Sequence, residues 1–282
     1  NYSIADSYIS VNEALKHAGA SLHTGVQISW LDAKDFEAHP EMITVLDDFD
    51  GIIVPGGFGN SGVEGKMMAI QYAREQKIPF LGLCYGMQLA IIEAARHICG
   101  FQGAHTTEVD PRTPYPVIDL LPEQRTVQEK SGSMRLGAYG AALREGSLVL
   151  ELYQKTGRLH RDQEQIAFLR DNNQHFRLGK TPLHNMILER HRHRYEQNPQ
   201  FIQHLERVGF LFSGYHERQD GTKLMEFLEL PKEQHPFFVG TQSHPCFKST
   251  LLNPAPLYVG FVEAALQRQT HPPLAPVAET LA

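Results

Sequence analysis

The run Ile78-Pro79-Phe80-Leu81-Gly82-Leu83-Cys84-Tyr85-Gly86-Met87-Gln88 constrains this chain more than any other stretch. An apolar segment of strand type ends in a cysteine between two glycines, and a helix-type segment, Tyr85 to His97, begins at once. A strand that turns directly into a helix favours glycine on both sides of the corner, because that turn is strained and crowded. The pattern also occurs upstream. Gly51-Ile52-Ile53-Val54 reads as a buried strand, Pro55-Gly56-Gly57 as a tight turn, and Val63 to Gln76 as a helix. Two strand–loop–helix units in succession predict an α/β fold, with a mostly parallel central sheet and helices on both faces. In such sheets function gathers at the carboxyl ends of the strands, where both Gly56-Gly57 and Cys84 fall.

The rest of the chain reads less regularly. Asp6 is placed to cap a helix to about Lys16, with Tyr8, Val11, Leu15 and Ala18 near one face and Gly19 at the stop. Val26, Ile28 and Trp30 alternate as in a strand. PVIDLL, LVLELY, KLMEFLEL and PFFVGTQ are strand candidates, and Asn198 to Val208 and Pro256 to Gln267 are helix candidates. These elements suggest one domain over residues 1–269. The polar stretch 158–182 reads as a surface insertion, and residues 270–282, rich in Pro and Ala, as a disordered tail.

Composition narrows the function. The chain has 282 residues and a net charge of −6, which gives no general surface for nucleic acid or membrane. No apolar run approaches the length of a membrane span. The N-terminal residues lack the pattern of a signal peptide and an initiator Met, so the expectation is an excised domain. Three cysteines, Cys84, Cys99 and Cys246, do not form a disulfide framework, which points to a reducing cytoplasm.

Three motifs carry chemistry. Gly82-Leu83-Cys84-Tyr85-Gly86 has the form of a nucleophile elbow with a thiol at a helix N-terminus, where the dipole favours thiolate. The amide of Tyr85 can face an oxyanion. The loop Pro55 to Gly62, PGGFGNSG, can offer backbone amides to the same oxyanion. It is no phosphate loop, because Asn60 stands where glycine is required and Met67 where Ser or Thr is required. TQSHPCF, Thr241 to Phe247, puts His244 after a strand candidate as a possible general base. ERHRHRYE, Glu189 to Glu196, reads either as a solvated edge or as a strand whose Arg side chains bind a carboxylate.

Together these motifs resemble the class I glutamine amidotransferase domain, and within it the glutaminase domain of CTP synthases. PGGFG and GLCYGMQ are shared with several class I amidotransferases. TEVDP (107–111), GSMRLG (132–137) and ERHRHRYE are more specific to the CTP synthase branch. The resemblance implies Cys84 as nucleophile, His244 as its base, and Gly57 and Tyr85 as oxyanion donors. It implies glutamine binding by Gly57, Tyr85, Gly86, Met87, Gln88, Glu108 and Arg194, with L-glutamine as substrate and no cofactor in this domain. ATP, Mg²⁺ and the activator GTP belong to a synthase (amidoligase) domain outside this chain, in a homo-oligomeric enzyme that aminates UTP to CTP. The chain departs from the family at three points. It has His244-Pro245-Cys246 where the family has His-Pro-Glu, it carries the 158–182 stretch, and it begins just after the place of the family's first strand. If His244 and Cys246 lie in an extended segment, they share a face, and a thiol there supports an imidazole poorly. That raises a second reading, a degenerate module that binds glutamine or a partner with weak turnover. A third reading, zinc held by Cys84, His244 and Cys246, lacks a fourth ligand.

Overall fold

The computed structural model describes residues 7–121, 134–172 and 177–270. The expected cap Asp6, the first two residues of GSMRLG and the tail from residue 271 lie outside them.

The two strand–loop–helix units are present. β1 (Ile52–Val54) leads through the glycine loop to α3 (Val63–Glu75), and β2 (Phe80–Leu83) turns at Cys84 into α4 (Tyr85–His97). They follow α1 (Ile9–Ser21) and the short α2 (Ala33–Ala38). β1 and β2 are parallel, and β2 is parallel to β10 (Phe238–Thr241). The expected mostly parallel sheet ends there. β10 pairs antiparallel with β9 (Lys223–Glu229), β9 with β8 (Leu211–Glu217), β8 with β5 (Arg135–Leu143), and β5 with the edge strand β6 (Met186–His193). Among the described residues, the seven-stranded sheet β1-β2-β10-β9-β8-β5-β6 therefore has mostly antiparallel neighbours. One of these antiparallel pairs has a local cause. β8 and β9 are joined by a hairpin closed by Arg218 N–H to Thr222 O at 2.9 Å, with Gly221 at φ +87°. Asp-Gly at such a turn favours antiparallel pairing and needs no crossover helix.

LVLELY is a helix, not a strand: α5 spans Leu148–Lys155. The Ser147 hydroxyl caps it by accepting from Leu150 N–H, and the Glu229 carboxylate accepts from Leu148 and Val149 N–H at 2.8 and 3.1 Å. A short apolar run does not distinguish strand from helix, and here the cap decides. Val26, Ile28 and Trp30 are alternately half-buried but join no ladder. Their alternation marks a packed face rather than strand pairing. Gly19 lies inside α1, where a side chain would strike the Thr24 carbonyl and Val26, so it permits a close approach and does not stop the helix.

Period-two alternation in the central strands separates two apolar layers. Phe80, Leu228 and Phe238 face a cluster with α3, α4 and α7 (Ile202–Arg207). Leu81, Leu83, Phe227 and Val239 face one with α1, α5 and α8 (Pro256–Thr270). A small sheet of β3 (His105–Thr106), β4 (Pro116–Asp119) and β7 (Glu196–Gln197) brings the TEVDP turn beside the end of ERHRHRYE.

The polar stretch begins with a helix, α6 (Arg158–Asp171), which packs on β6. Arg158, Asp162 and Ile166 are buried while the remaining face supplies the polar composition. Asp162 accepts from Arg158 Nε at 2.8 Å, Lys248 Nζ at 2.9 Å and Leu188 N–H at 2.9 Å. Glu189 accepts from Arg158 Nη2 at 3.1 Å and the Tyr153 hydroxyl at 2.7 Å. Each buried charge thus has an opposite partner, the condition under which such burial is tolerated.

His235 joins α3 to the turn before β10. Its Nδ1 accepts from Phe237 N–H at 3.2 Å, so Nε2 carries the hydrogen and donates to the Ala73 carbonyl at 3.1 Å. That tautomer is neutral, and burial pushes the His235 pKa down to about 4. The unfolded value is about 6.5, so the unfolded chain binds the extra proton as pH falls. The stability this adds is complete above about pH 6.5 and is lost as pH falls towards 4. At pH 5 the loss from this group is about 2 kcal/mol. Urea unfolding at pH 7.5 and pH 5 should show the fall, and His235→Asn should make it shallower. An unchanged pH slope in that variant would mean that His235 titrates normally.

Candidate functional site

The site forms where the carboxyl ends of the three parallel strands meet. Thr241 of β10 lies opposite Leu83 of β2, and Cys84 N–H donates to the Thr241 carbonyl at 2.6 Å. The chain after β1 supplies Gly56 and Gly57, the chain after β2 supplies Cys84, and the chain after β10 supplies Gln242 and His244. Cys84 has φ +52° and ψ −98°, a backbone conformation that L residues avoid. A side chain at Gly82 would meet the backbone of Gly86 at 2.9 Å, and one at Gly86 would collide with the Val54 carbonyl. The glycines are thus required by close packing of the corner against β1. At Gly56 an added Cβ would lie 3.5 Å from Cys84 Cβ and 3.0 Å from His244 Cε1, so thiol and imidazole converge over this glycine.

Burial dominates the electrostatics here. The Cys84 thiol is pushed up to about 12 by desolvation, which outweighs the lowering by the Tyr85 amide and by Gln242. Burial thus opposes the thiolate that the helix N-terminus favours, and the balance of the two favours a neutral thiol. Burial also pushes His244 down to about 4, reinforced by His193 and Arg192, so its imidazole is neutral. His244 Nε2 is buried without a hydrogen-bond partner and lies 3.8 Å from the position a Gly56 Cβ would take. The ring stacks on Phe247, and its backbone N–H donates to the Arg190 carbonyl at 2.8 Å.

Polar residues lie below this pair. Burial alone would raise the Glu196 carboxyl, but His193 and Arg135 hold it well below the usual range. Its Oε1 pairs with His193 Nε2 at 2.7 Å and Arg135 Nη1 at 3.2 Å. Arg135 Nη2 also lies 2.7 Å from Glu226. ERHRHRYE is thus half edge strand and half interior: Glu189, His191, His193 and Glu196 point inward, while Arg190 and Arg192 are exposed. The alternation is present, but it turns the histidines inward and leaves Arg190 and Arg192 exposed rather than facing a site, and the ion pairs with Arg135 and Glu226 carried no local signal.

The expected substrate residues fall into two groups. Glu108 and Tyr85 grip the glycine loop: Gly59 N–H donates to Glu108 Oε1 at 3.3 Å, and the Tyr85 hydroxyl donates to Gly59 O at 2.6 Å. Gly57 is exposed in that loop. Gln88 is buried, and its Nε2 donates to the Tyr195 carbonyl at 2.9 Å, next to the half-buried Arg194. Gly86 and Met87 are buried at the start of α4, where the Met87 side chain packs against Gly240 and Gly86 lies against the Val54 carbonyl. Gln242 was not singled out, although it lies within TQSHPCF two residues before His244.

Cys246 does not support His244. Residues 245–248 form a 3₁₀ turn rather than an extended segment, so 244 and 246 do not share a face. The Cys246 thiol is buried in the cluster of α1 and α8, against the Ser10 and Tyr258 hydroxyls. Tyr258 itself is buried without a hydrogen bond of good geometry. The zinc reading fails on the same arrangement. Among the described residues no three His, Cys, Asp or Glu side chains are grouped to hold a metal ion.

The chain matches the family model for class-I glutamine amidotransferases over residues 3–264. It is 46% identical over 262 residues to a CTP synthase of Pyrococcus abyssi, covering 93% of this chain and 42% of that protein. It is 47% identical over 263 residues to one of Methanopyrus kandleri, covering 93% and 43%. The chain therefore spans about two fifths of the length of these relatives. Among solved structures, the glutaminase domain of Trypanosoma brucei CTP synthase with bound acivicin aligns with a TM-score of 0.77 at 30% identity, covering 95% of this chain and 91% of that one. An elbow cysteine, a facing histidine and a glycine loop on this fold, matched over nearly the whole chain, place the protein among the class-I glutamine amidotransferases, as a glutaminase domain of the CTP synthase type.

Proposed function

We propose that this domain hydrolyses glutamine at Cys84 and delivers the ammonia to a synthase domain that aminates UTP to CTP. The convergence of Cys84 and His244 over Gly56 carries the reading. The Sγ proton passes to His244 Nε2, and the thiolate attacks the side-chain carbonyl carbon of glutamine. The backbone amides of Gly57 and Tyr85 receive the oxyanion. As the tetrahedral adduct collapses, the imidazolium gives its proton to the departing amide nitrogen, the C–N bond breaks, and ammonia leaves the thioester behind. Water, deprotonated by His244, then cleaves the thioester to glutamate and regenerates the thiol. The neutral thiol–imidazole pair separates charge most favourably when substrate meets the oxyanion donors, which raises the reactive thiolate fraction in the loaded site.

Arg194 and Glu108 suit the α-carboxylate and α-ammonium of an amino acid, with Gln88 fixing the backbone at Tyr195, next to Arg194. ATP, Mg²⁺ and GTP would act in the synthase portion of the longer enzyme. A homo-oligomeric full-length enzyme in the cytoplasm is part of the same proposal. Cys246 belongs to the packing of α1 and α8 in this reading, and the degenerate module has no observation in its favour.

Cys84→Ala should abolish ammonia release from glutamine, measured in steady state with the domain joined to its synthase portion. Release that persists would place the nucleophile elsewhere. Arg194→Ala should raise KM for glutamine roughly ten- to a hundredfold, because a charge-assisted contact to substrate contributes about 1.5–3 kcal/mol. An unchanged KM in the folded variant would remove Arg194 from the site. Cys246→Ala should leave kcat within about twofold while lowering stability by about 1 kcal/mol or more from the lost packing. A large fall in kcat without loss of stability would return the thiol to catalysis.

A further inference from the structure

One buried side chain at the site has no role in the mechanism above. Gln242 is 1% exposed and lies at the end of β10, between the nucleophile and the segment that carries Arg194. Its Nε2 is 3.6 Å from Cys84 Sγ, within range of a hydrogen bond to sulfur. The orientation of its amide is fixed from behind: Gln88 Nε2 donates to Gln242 Oε1 at 3.1 Å and to the Tyr195 carbonyl at 2.9 Å. The Gln242 backbone N–H donates to the Glu226 carbonyl at 2.9 Å, which anchors the residue to β9. With its oxygen committed to Gln88, the amide can present only N–H to the sulfur. Burial raises the cost of forming a thiolate here, so a fixed donor aimed at the sulfur favours the charged form where water cannot.

We infer that Gln242 is a hydrogen-bond donor to the Cys84 thiolate, held in place by the Gln88–Tyr195 contact, and that it sets the reactivity of the nucleophile. The inference rests on the reading of Cys84 as nucleophile and extends it by one residue. When the Sγ proton moves to His244, the Gln242 N–H stays on its nitrogen and its hydrogen bond strengthens against the new negative charge. Gln88 stands at both ends of the device, next to the proposed substrate residues and behind Gln242.

The test is the rate at which iodoacetamide alkylates Cys84, scored by mass on the Cys84 peptide between pH 6.5 and 9. In this reaction the S–C bond forms, iodide leaves, and the thiol proton is released. Gln242→Met keeps the bulk and removes the donor. It should slow alkylation about tenfold at every pH. Gln242→Glu keeps the shape, and its carboxyl donates only while protonated, so its deficit should grow with pH. A purely steric role predicts neither the deficit in Gln242→Met nor the pH dependence in Gln242→Glu, and parent-like rates in both would overturn the inference. A readout in the unsubstituted side chain protects the test against misfolded variants. The Gln242 side-chain amide resonance of the ¹⁵N-labelled protein should move on Cys84→Ala, and an unmoved resonance would also overturn it. None of these measurements needs glutamine turnover. Ammonia release that survives Cys84→Ala would strike at the nucleophile assignment instead.

Discussion

The close approach of the Cys84 corner to β1 is the constraint on which the site depends. The helix after the corner begins directly against the Val54 carbonyl, and only glycine at position 86 allows it. That contact fixes the start of α4, the start of α4 fixes the Tyr85 amide, and the strained Cys84 backbone aims the sulfur at the gap over Gly56. Strain of this kind, of order 1–3 kcal/mol, persists only where the surroundings over-determine the conformation. Here β1, β2 and β10 do so, through parallel registers that bring their carboxyl ends level.

The same packing makes the site dry. A thiol raised to about 12 and an imidazole lowered to about 4 are both costs of burial. They make proton transfer between the two unfavourable until charge-stabilising groups are assembled around it. The domain meets that cost with donors fixed in advance: backbone amides for the oxyanion and, on our inference, the Gln242 amide for the thiolate. Preorganised dipoles in a low-dielectric site act strongly because they need no reorientation during the reaction.

The charged layer beneath links distant parts of the chain to this corner. Lys248, four residues after His244, donates to Asp162 on α6 and to the Leu188 carbonyl of β6 at 2.6 Å. The helix in the polar stretch thus helps hold the turn that carries the histidine. On the other side, Arg135 joins β5 to Glu196 and Glu226, under the strand that ends near Arg194. Breaking one partner in either network would leave a buried charge uncompensated, which is far costlier than losing an exposed pair.

The sequence alone determined the local chemistry. Gly82-Leu83-Cys84-Tyr85-Gly86 and Pro55-Gly56-Gly57 each contain, within a few residues, the steric reason for their own turn, so the elbow, its two strands and its two helices were legible. Tertiary structure alone decided the direction of most strand pairs, because pairing is a relation between distant segments and a strand carries the same alternation in either direction. It decided that LVLELY is a helix, through Glu229, some 80 residues away. It also decided that Cys246 faces α1 and α8, through a 3₁₀ turn that a His-Pro-Cys tripeptide does not announce. Gln242 stood two residues from His244 in plain view, but its significance depends on Cys84, 158 residues earlier, and on Gln88 behind it. Its role needed contacts that only the folded chain provides.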